Sequence, residues 1–234
     1  MGVMNNIVAQ NPDYLFMIES ACKAPSGHNT QPWLFKIGAS EIDIYPDFSK
    51  ELPIVDPSHR ELFVSLGCAT ENLCIAAHEK GYHTEVKVIE NSFIRVLLTA
   101  GKEKLPFSLL FPQIAVRQTN KRVYNGEAIP ERTINLLKMV PIEPSVSIHF
   151  YRNGTVDYDT IAGWVYAGNR LQMNDEAFKT ELTDWMRYNK KQQDNTRDGL
   201  SYATFGAPNI PLFMAKFIMS KLINEKTKNK GDKK

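Results

Sequence analysis

The chain has 234 residues, 43% of them apolar and 23% charged, with a net charge of +2 at pH 7. That length and balance suit one globular domain with a sizeable core and exclude a disordered, collagenous or disulfide-dense chain. So small a charge makes no electrostatic case for nucleic acid, and no apolar run is long enough to cross a bilayer, so neither partner is expected.

Residues 12–23 read as a helix, with Leu15, Ile18 and Cys22 at helical spacing. Pro25 disfavours helical geometry at Ala24 and should stop it. Leu34–Ile37 and Ile42–Tyr45 read as short strands around the turn Gly38-Ala39-Ser40-Glu41. The clearest helix is 59–80. Leu62, Leu66, Ala69, Leu73 and Ala76 share one face, and Gly81 is placed to terminate it. Ser65, Cys68, Asn72 and Ala76 make a second face of small residues, open to a partner helix or a planar ligand. Asp56 and Arg60 suit capping and anchoring the helix start.

Thr84–Glu90 and Ile94–Thr99 read as strands, and Leu105–Pro112, with two prolines, as a connector. Glu131–Val140 reads as a short helix with Pro130 near its start. Ser145–Arg152 alternates Val146, Ile148 and Phe150 and predicts a strand. Two helices follow over 157–171 and 174–188, the second capped by Asn174. Residues 190–209 are polar and read as irregular; 211–223 return to an amphipathic helix. The lysine-rich stretch 221–234 is poor in apolar residues and is expected to be solvated or disordered. Residues 1–220 thus read as a single α+β domain.

Cys22, Cys68 and Cys74 show no paired spacing, which favours reduced thiols in a reducing, cytoplasmic compartment. Cys68 and Cys74 are six apart on a helix and do not face each other, so no local metal site is expected. The N-terminus lacks a basic region followed by a long apolar run, so no signal peptide is read. No Ser-His-Asp order, P-loop, HExxH or paired-Cys motif is present.

The most informative stretch is Ala24-Pro25-Ser26-Gly27-His28-Asn29-Thr30-Gln31-Pro32-Trp33. Ser26, Gly27 and Asn29 tolerate turn and left-handed backbone, which lets successive N–H groups converge on a ligand. Asn29 and Gln31 add side chains that both donate and accept. A flat polar heterocycle needs that mixture; an ordinary helix-to-strand loop is the plain alternative.

The decapeptide resembles the APSxxNxQPW signature of the FMN-dependent nitroreductase family. Asp56-Pro57-Ser58-His59-Arg60-Glu61, leading into Thr70-Glu71-Asn72-Leu73-Cys74-Ile75-Ala76-Ala77, is similar to that family's next helix. The Asp-Pro-x-x-Arg-Glu entry and Arg117-Gln118-Thr119-Asn120-Lys121-Arg122 look most like its Acg-like branch. The similarity covers roughly residues 10 to 135. It implies a nitroreductase-like α+β fold, an antiparallel-rich sheet packed by helices. It also implies two halves in one chain, the second beginning near residue 113. The later basic segment of such a half is not found, so the C-terminal part is expected to be lacking and a homodimer could complete the site.

The resemblance further implies FMN as cofactor, NAD(P)H as co-substrate and a nitro compound, quinone or similar small molecule as electron acceptor. Pro25, Ser26 and Gly27 would touch the ring or ribityl chain, Asn29, Gln31 and Asn72 the ring's polar edge, and Gly199 its covering backbone. Arg117, Thr119 and Lys121 would hold the phosphate with a fork, a hydroxyl and a point charge. Taken alone these last three suit a solvated basic turn, Asn72 a structural hydrogen bond, and Gly199 a plain turn. His28 is not assigned a catalytic role, since the flavin supplies the chemistry and no protein acid or nucleophile is required. The alternative reading is a flavin-sequestering protein of the Acg-like type with little or no turnover.

Overall fold

The structure is a computed structural model that describes residues 11–90, 92–101, 109–121 and 123–214. Helix α1 (Pro12–Ala21) starts where the Asn11 side chain accepts from the Asp13 N–H, with Pro12 in the first turn. After it the Lys23 and Ala24 N–H groups still reach the Ser20 and Ala21 carbonyls. Pro25 has no N–H to continue the series, and the chain turns away.

Strands β1 (Trp33–Ile37) and β2 (Glu41–Pro46) form an antiparallel hairpin with Phe35 opposite Ile44. Helix α2 (Arg60–Glu79) follows, then β3 (Tyr82–Ile89) and β4 (Phe93–Ala100). The Asp56 carboxylate accepts from the Leu62 N–H at 2.9 Å and fixes the start of α2, and Gly81 turns the chain out at φ +81°. The sheet order is β1-β2-β4-β3, antiparallel throughout.

Helices α1 and α2 cover one face of this sheet. Phe35, Ile42, Ile44 and Val96 on that face meet Met17, Ile18, Leu66 and Leu73, all essentially fully buried. The other face carries Asp43, almost wholly buried, in a bidentate pair with Arg95 at 2.7 and 2.8 Å. Burial of apolar surface on one face is the main stabilising term here. The α+β class with an antiparallel sheet packed by helices is therefore the architecture observed.

Beyond the sheet come α3 (Phe111–Val116), α4 (Glu131–Lys138), α5 (Val156–Asn174) and α6 (Glu176–Asp184). Then follow β5 (Met186–Arg187), α7 (Lys190–Thr196), β6 (Leu200–Ser201) and a 3₁₀ turn over Tyr202–Phe205. A second, smaller cluster holds Met186, Tyr188 and Leu200.

Several expectations need correcting. Ser145–Arg152 is not a strand: among the described residues no neighbouring strand accepts its backbone bonds, and Val146, Ile148 and Phe150 are exposed. Alternation supplies a face to bury, but a strand also needs a paired edge. The helix expected over 174–188 ends at Asp184, because Leu200 donates to the Trp185 carbonyl and Met186–Arg187 pair with Leu200–Ser201 in parallel. Its cap is Asp175, accepting from the Ala177 and Phe178 N–H groups, and not Asn174. Residues 190–209 are ordered rather than irregular; Asn189 caps α7 by accepting from Gln192. In the connector, Phe111 and Pro112 already belong to α3. Most of the 211–223 helix and the whole 221–234 tail lie outside the described residues.

Candidate functional site

The loop between α1 and β1 is held in an unusual backbone. His28, Asn29 and Gln31 have φ of +45°, +54° and +54°, in the left-handed region. Local bonds hold this shape: Asn29 N–H to the Ser26 carbonyl, Thr30 N–H to the Gly27 carbonyl, and Gln31 N–H to Ser26 Oγ at 3.0 Å. Gly27 donates to Ser65 Oγ on α2 at 3.3 Å. A Cβ on Gly27 would crowd Leu52 at 3.2 Å and Glu61 at 3.3 Å, so glycine lets the loop lie close on α2.

A strap from the C-terminal part closes onto this loop. Gly199 N–H donates to the Asn29 carbonyl at 2.9 Å, and Asn29 Nδ2 returns a bond to the Gly199 carbonyl at 3.0 Å. Gln31 Nε2 donates to the Arg197 carbonyl at 2.6 Å. The strap is left-handed as well, at Arg197 with φ +56° and at Gly199 with +79°, the second allowed by the absence of a Cβ. A Cβ at Gly199 would stand 2.5 Å from the Trp185 carbonyl oxygen. Between them, Asp198 receives Lys50 at 3.0 Å and Arg187 at 2.7 Å, and these cations hold its carboxyl below the usual range against the opposing effect of burial. The Glu181 carboxylate on α6 accepts from the Ile54 and Val55 N–H groups at 2.9 and 3.0 Å, a further tie between the two parts of the chain.

His28 lies in the same loop. Its Nδ1 is buried and meets no hydrogen-bond partner among the described residues. Burial, and secondarily the Lys121 charge, lower its pKa, opposed by Glu181, so the ring favours the neutral form. Lys121 approaches through its backbone, its N–H donating to the Thr204 carbonyl at 3.1 Å, with Nζ 5.9 Å from the Phe205 ring centre.

The ten residues expected at the site fall into groups. Ser26, Gly27, Asn29, Gln31 and Gly199 meet in one place, where Asn29 and Gln31 hold the strap. Lys121 acts on His28 through its charge and bonds through its backbone to Thr204. Pro25 and Thr119 are exposed. Arg117, also exposed, donates to the Lys23 carbonyl just past α1 at 3.1 Å. Asn72 turns to α1 and donates to the Ser20 carbonyl at 3.2 Å, so the small-residue face of α2 receives a helix there.

Lys50, Glu181 and Arg187 belong to the same contact and carried no local signal in the sequence, because each is isolated there from its partner. His28 was visible in the motif, but its orphaned nitrogen is a property of packing. Below the loop is a shallow cleft of about 10 Å³, lined by Gly27, Thr30, Lys50, Leu52 and Ser65 among others. That is less than the roughly 300–1,000 Å³ of most small-molecule sites. No cluster of three metal-ligating side chains and no helix long and apolar enough to cross a membrane occurs among the described residues.

No family model matches the chain. Two proteins of Mycobacterium tuberculosis, from two strains, are similar to it. Their names are "Putative NAD(P)H nitroreductase Rv3131" and "Putative NAD(P)H nitroreductase MT3217". Each is 26% identical over 170 residues, covering 70% of this chain and 48% of the relative. The chain thus spans about half the length of the curated relatives it matches.

The donor set around the loop has the chemistry a flavin mononucleotide asks for. It holds a hydroxyl, two side-chain amides, the cations Arg117 and Lys121, and a buried ring nitrogen without a partner among the described residues, while the N–H groups of Gly27, Asn29, Thr30 and Gln31 are already bonded within the chain. In the closed arrangement the strap uses the Asn29 and Gln31 amides, so their side chains address a ligand only after the strap shifts.

Proposed function

We propose that this chain is an NAD(P)H-dependent oxidoreductase of the nitroreductase kind, with FMN held at the 24–33 loop and a nitroaromatic, quinone or similar small molecule as acceptor. One observation carries the reading. Of the five non-glycine residues with left-handed backbone among the described residues, four, His28, Asn29, Gln31 and Arg197, sit at the loop–strap contact. Each such residue costs of order 1–3 kcal/mol, and strain of this kind gathers at functional sites. Similarity to two proteins named as nitroreductases, and the match of the loop to the nitroreductase signature, give the strained site its chemistry.

FMN would supply hydride acceptance and donation; the chain supplies place and charge. Ser26 offers the hydroxyl and Gly27 the small surface that lie along the cofactor, while Asn29 and Gln31 present amides to its polar edge once the strap shifts off them. Arg117, Thr119 and Lys121 offer the cations and hydroxyl for a phosphate. The Lys121 charge also favours an anion near His28, and the neutral His28 ring adds no competing positive charge. A strap that recloses over bound flavin would favour the sequestering alternative, with little turnover.

The visible spectrum of the purified protein, followed by titration with FMN and FAD, tests the cofactor. FMN should bind more tightly, since no GxGxxG fingerprint follows a strand; equal or tighter FAD binding overturns it. Oxidation of NAD(P)H with a nitroaromatic acceptor then separates turnover from sequestration.

A further inference from the structure

We propose that the outer edge of β3 is a self-association surface that pairs with β3 of a second copy, antiparallel and centred on Val86. The strand is the last in the sheet, and no strand pairs with its outer side among the described residues. Eight residues long, it carries Val86 and Val88 at 46% and 74% exposure on the face whose inner strands form the core. Long apolar edges of this kind invite pairing.

The backbone polarity decides which residues can pair. Gly101 N–H donates to the Gly81 carbonyl, and Leu98 N–H donates away from β3, to the Ser40 carbonyl. Antiparallel alternation then turns the N–H and C=O of His83, Glu85 and Lys87 toward β4. Those of Thr84, Val86 and Val88 point outward. A second copy with Val86 opposite its own Val86 sets Thr84 opposite Val88, so each outward group meets an outward group.

The charges select the register. With Val86 on the two-fold axis, Glu85 of each copy faces Lys87 of the other in the closer, non-hydrogen-bonded type of pair. Centring on Glu85 would place two carboxylates together, and centring on Lys87 two ammonium groups. Centring on Thr84 or Val88 leaves Lys87 without an acidic partner. Within one chain Glu85 and Lys87 already lie 3.2 Å apart on the exposed face, so pairing builds a four-charge cluster. Charged edge residues ordinarily block pairing; here their alternating sign matches a copy of itself. On the opposite face Val86 and Val88 of both copies form a continuous apolar strip, and the result is an eight-stranded sheet.

This surface differs from a homodimer that completes the loop site. β3 is at the opposite edge of the sheet from β1, the strand that leaves the 24–33 loop. It therefore stands whether or not the proposed function does.

Sedimentation equilibrium of the full chain over a concentration series tests the proposal, with Glu85→Lys, Lys87→Glu and the double exchange. The wild type should show a concentration-dependent dimer. Each single variant should weaken it about tenfold or more, because two attractive pairs become repulsive. The double exchange should restore it to within about threefold, because the pairs re-form with sign reversed. Melting curves of all four proteins guard against misfolding, and Asn29→Ala, at the loop, should leave association unchanged. A monomer at every soluble concentration overturns the proposal. So does a dimer indifferent to Glu85→Lys, or a double exchange that fails to restore pairing while remaining folded.

Discussion

Asn29 and Gly199, 170 positions apart in the chain, close a ring of two hydrogen bonds, N–H to carbonyl at 2.9 Å and side-chain amide to carbonyl at 3.0 Å. The loop that resembles a flavin-binding signature is thereby joined to a strap from the far end of the described chain. Because Asn29 contributes both its backbone carbonyl and its side chain, loop and strap share one conformation.

Gly199→Ala should break that conformation. Its φ of +79° disfavours any Cβ, and the added carbon would meet the Trp185 carbonyl at 2.5 Å. A loss of about 1–3 kcal/mol is expected, seen as a lower melting temperature. Limited proteolysis should cut first around residues 190–200. Unchanged melting and protection would show that the strap does not depend on this contact.

Asn72→Leu should act on stability. The Asn72 amide spans α2 to α1 through the Ser20 carbonyl, and its removal leaves that carbonyl without the bond. A cost of about 1–2 kcal/mol is expected by denaturant titration. A variant as stable as wild type would show that the bond contributes nothing.

Acid should weaken the fold in two separate windows. The His28 pKa is lowered in the folded state, chiefly by burial. Below its ordinary value the unfolded chain binds more protons than the folded one, so stability rises with pH there. The contribution is fully present above about 6.5 and lost as pH falls beneath it. Asp198, also lowered, gives a second loss beginning as pH falls through the ordinary carboxylate range. His28→Asn should flatten the upper window and leave the lower one; melting curves across pH read both. Retention of the upper slope in His28→Asn would assign it to another group.

FMN affinity should fall as salt rises, since Arg117, Thr119 and Lys121 are exposed and exposed charges are screened. Lys121→Ala should lower affinity about 10-fold or more at low salt, the usual worth of a charged hydrogen bond. It should also reduce the salt dependence. Arg117→Ala should cost stability as well, because its guanidinium also holds the Lys23 carbonyl at the end of α1. Fluorescence quenching of FMN in a salt series measures the affinities. Stoichiometric FMN retained through high salt would show that other groups hold the phosphate.

The sheet and its two helices were legible because local rules carry them. Leu62, Leu66, Leu73 and Ala76 repeat at helical spacing and do line the core face of α2. Pro25, Gly81 and Asp56 act within a few residues of where they stand. Val146, Ile148 and Phe150 show the limit of that legibility: their alternation is real, yet among the described residues no neighbouring strand is there to pair. Met186 and Arg187 show the converse, leaving a helical pattern because Leu200–Ser201 offer a strand.

At the candidate site the division follows the range of the forces. The order Pro25-Ser26-Gly27-His28-Asn29 signalled a turn with left-handed backbone, but of Ser26, Gly27 and Asn29 only Asn29 adopts it, and His28 and Gln31 take the other left-handed positions. Which side chains stay open to a ligand was decided only by the fold. It brings Arg197–Gly199 onto Asn29 and Gln31, sets Lys50 and Arg187 on Asp198, and leaves His28 Nδ1 buried without a partner. Hydrogen bonds and ion pairs are satisfied between groups close in space, and sequence separation carries no information about that closeness.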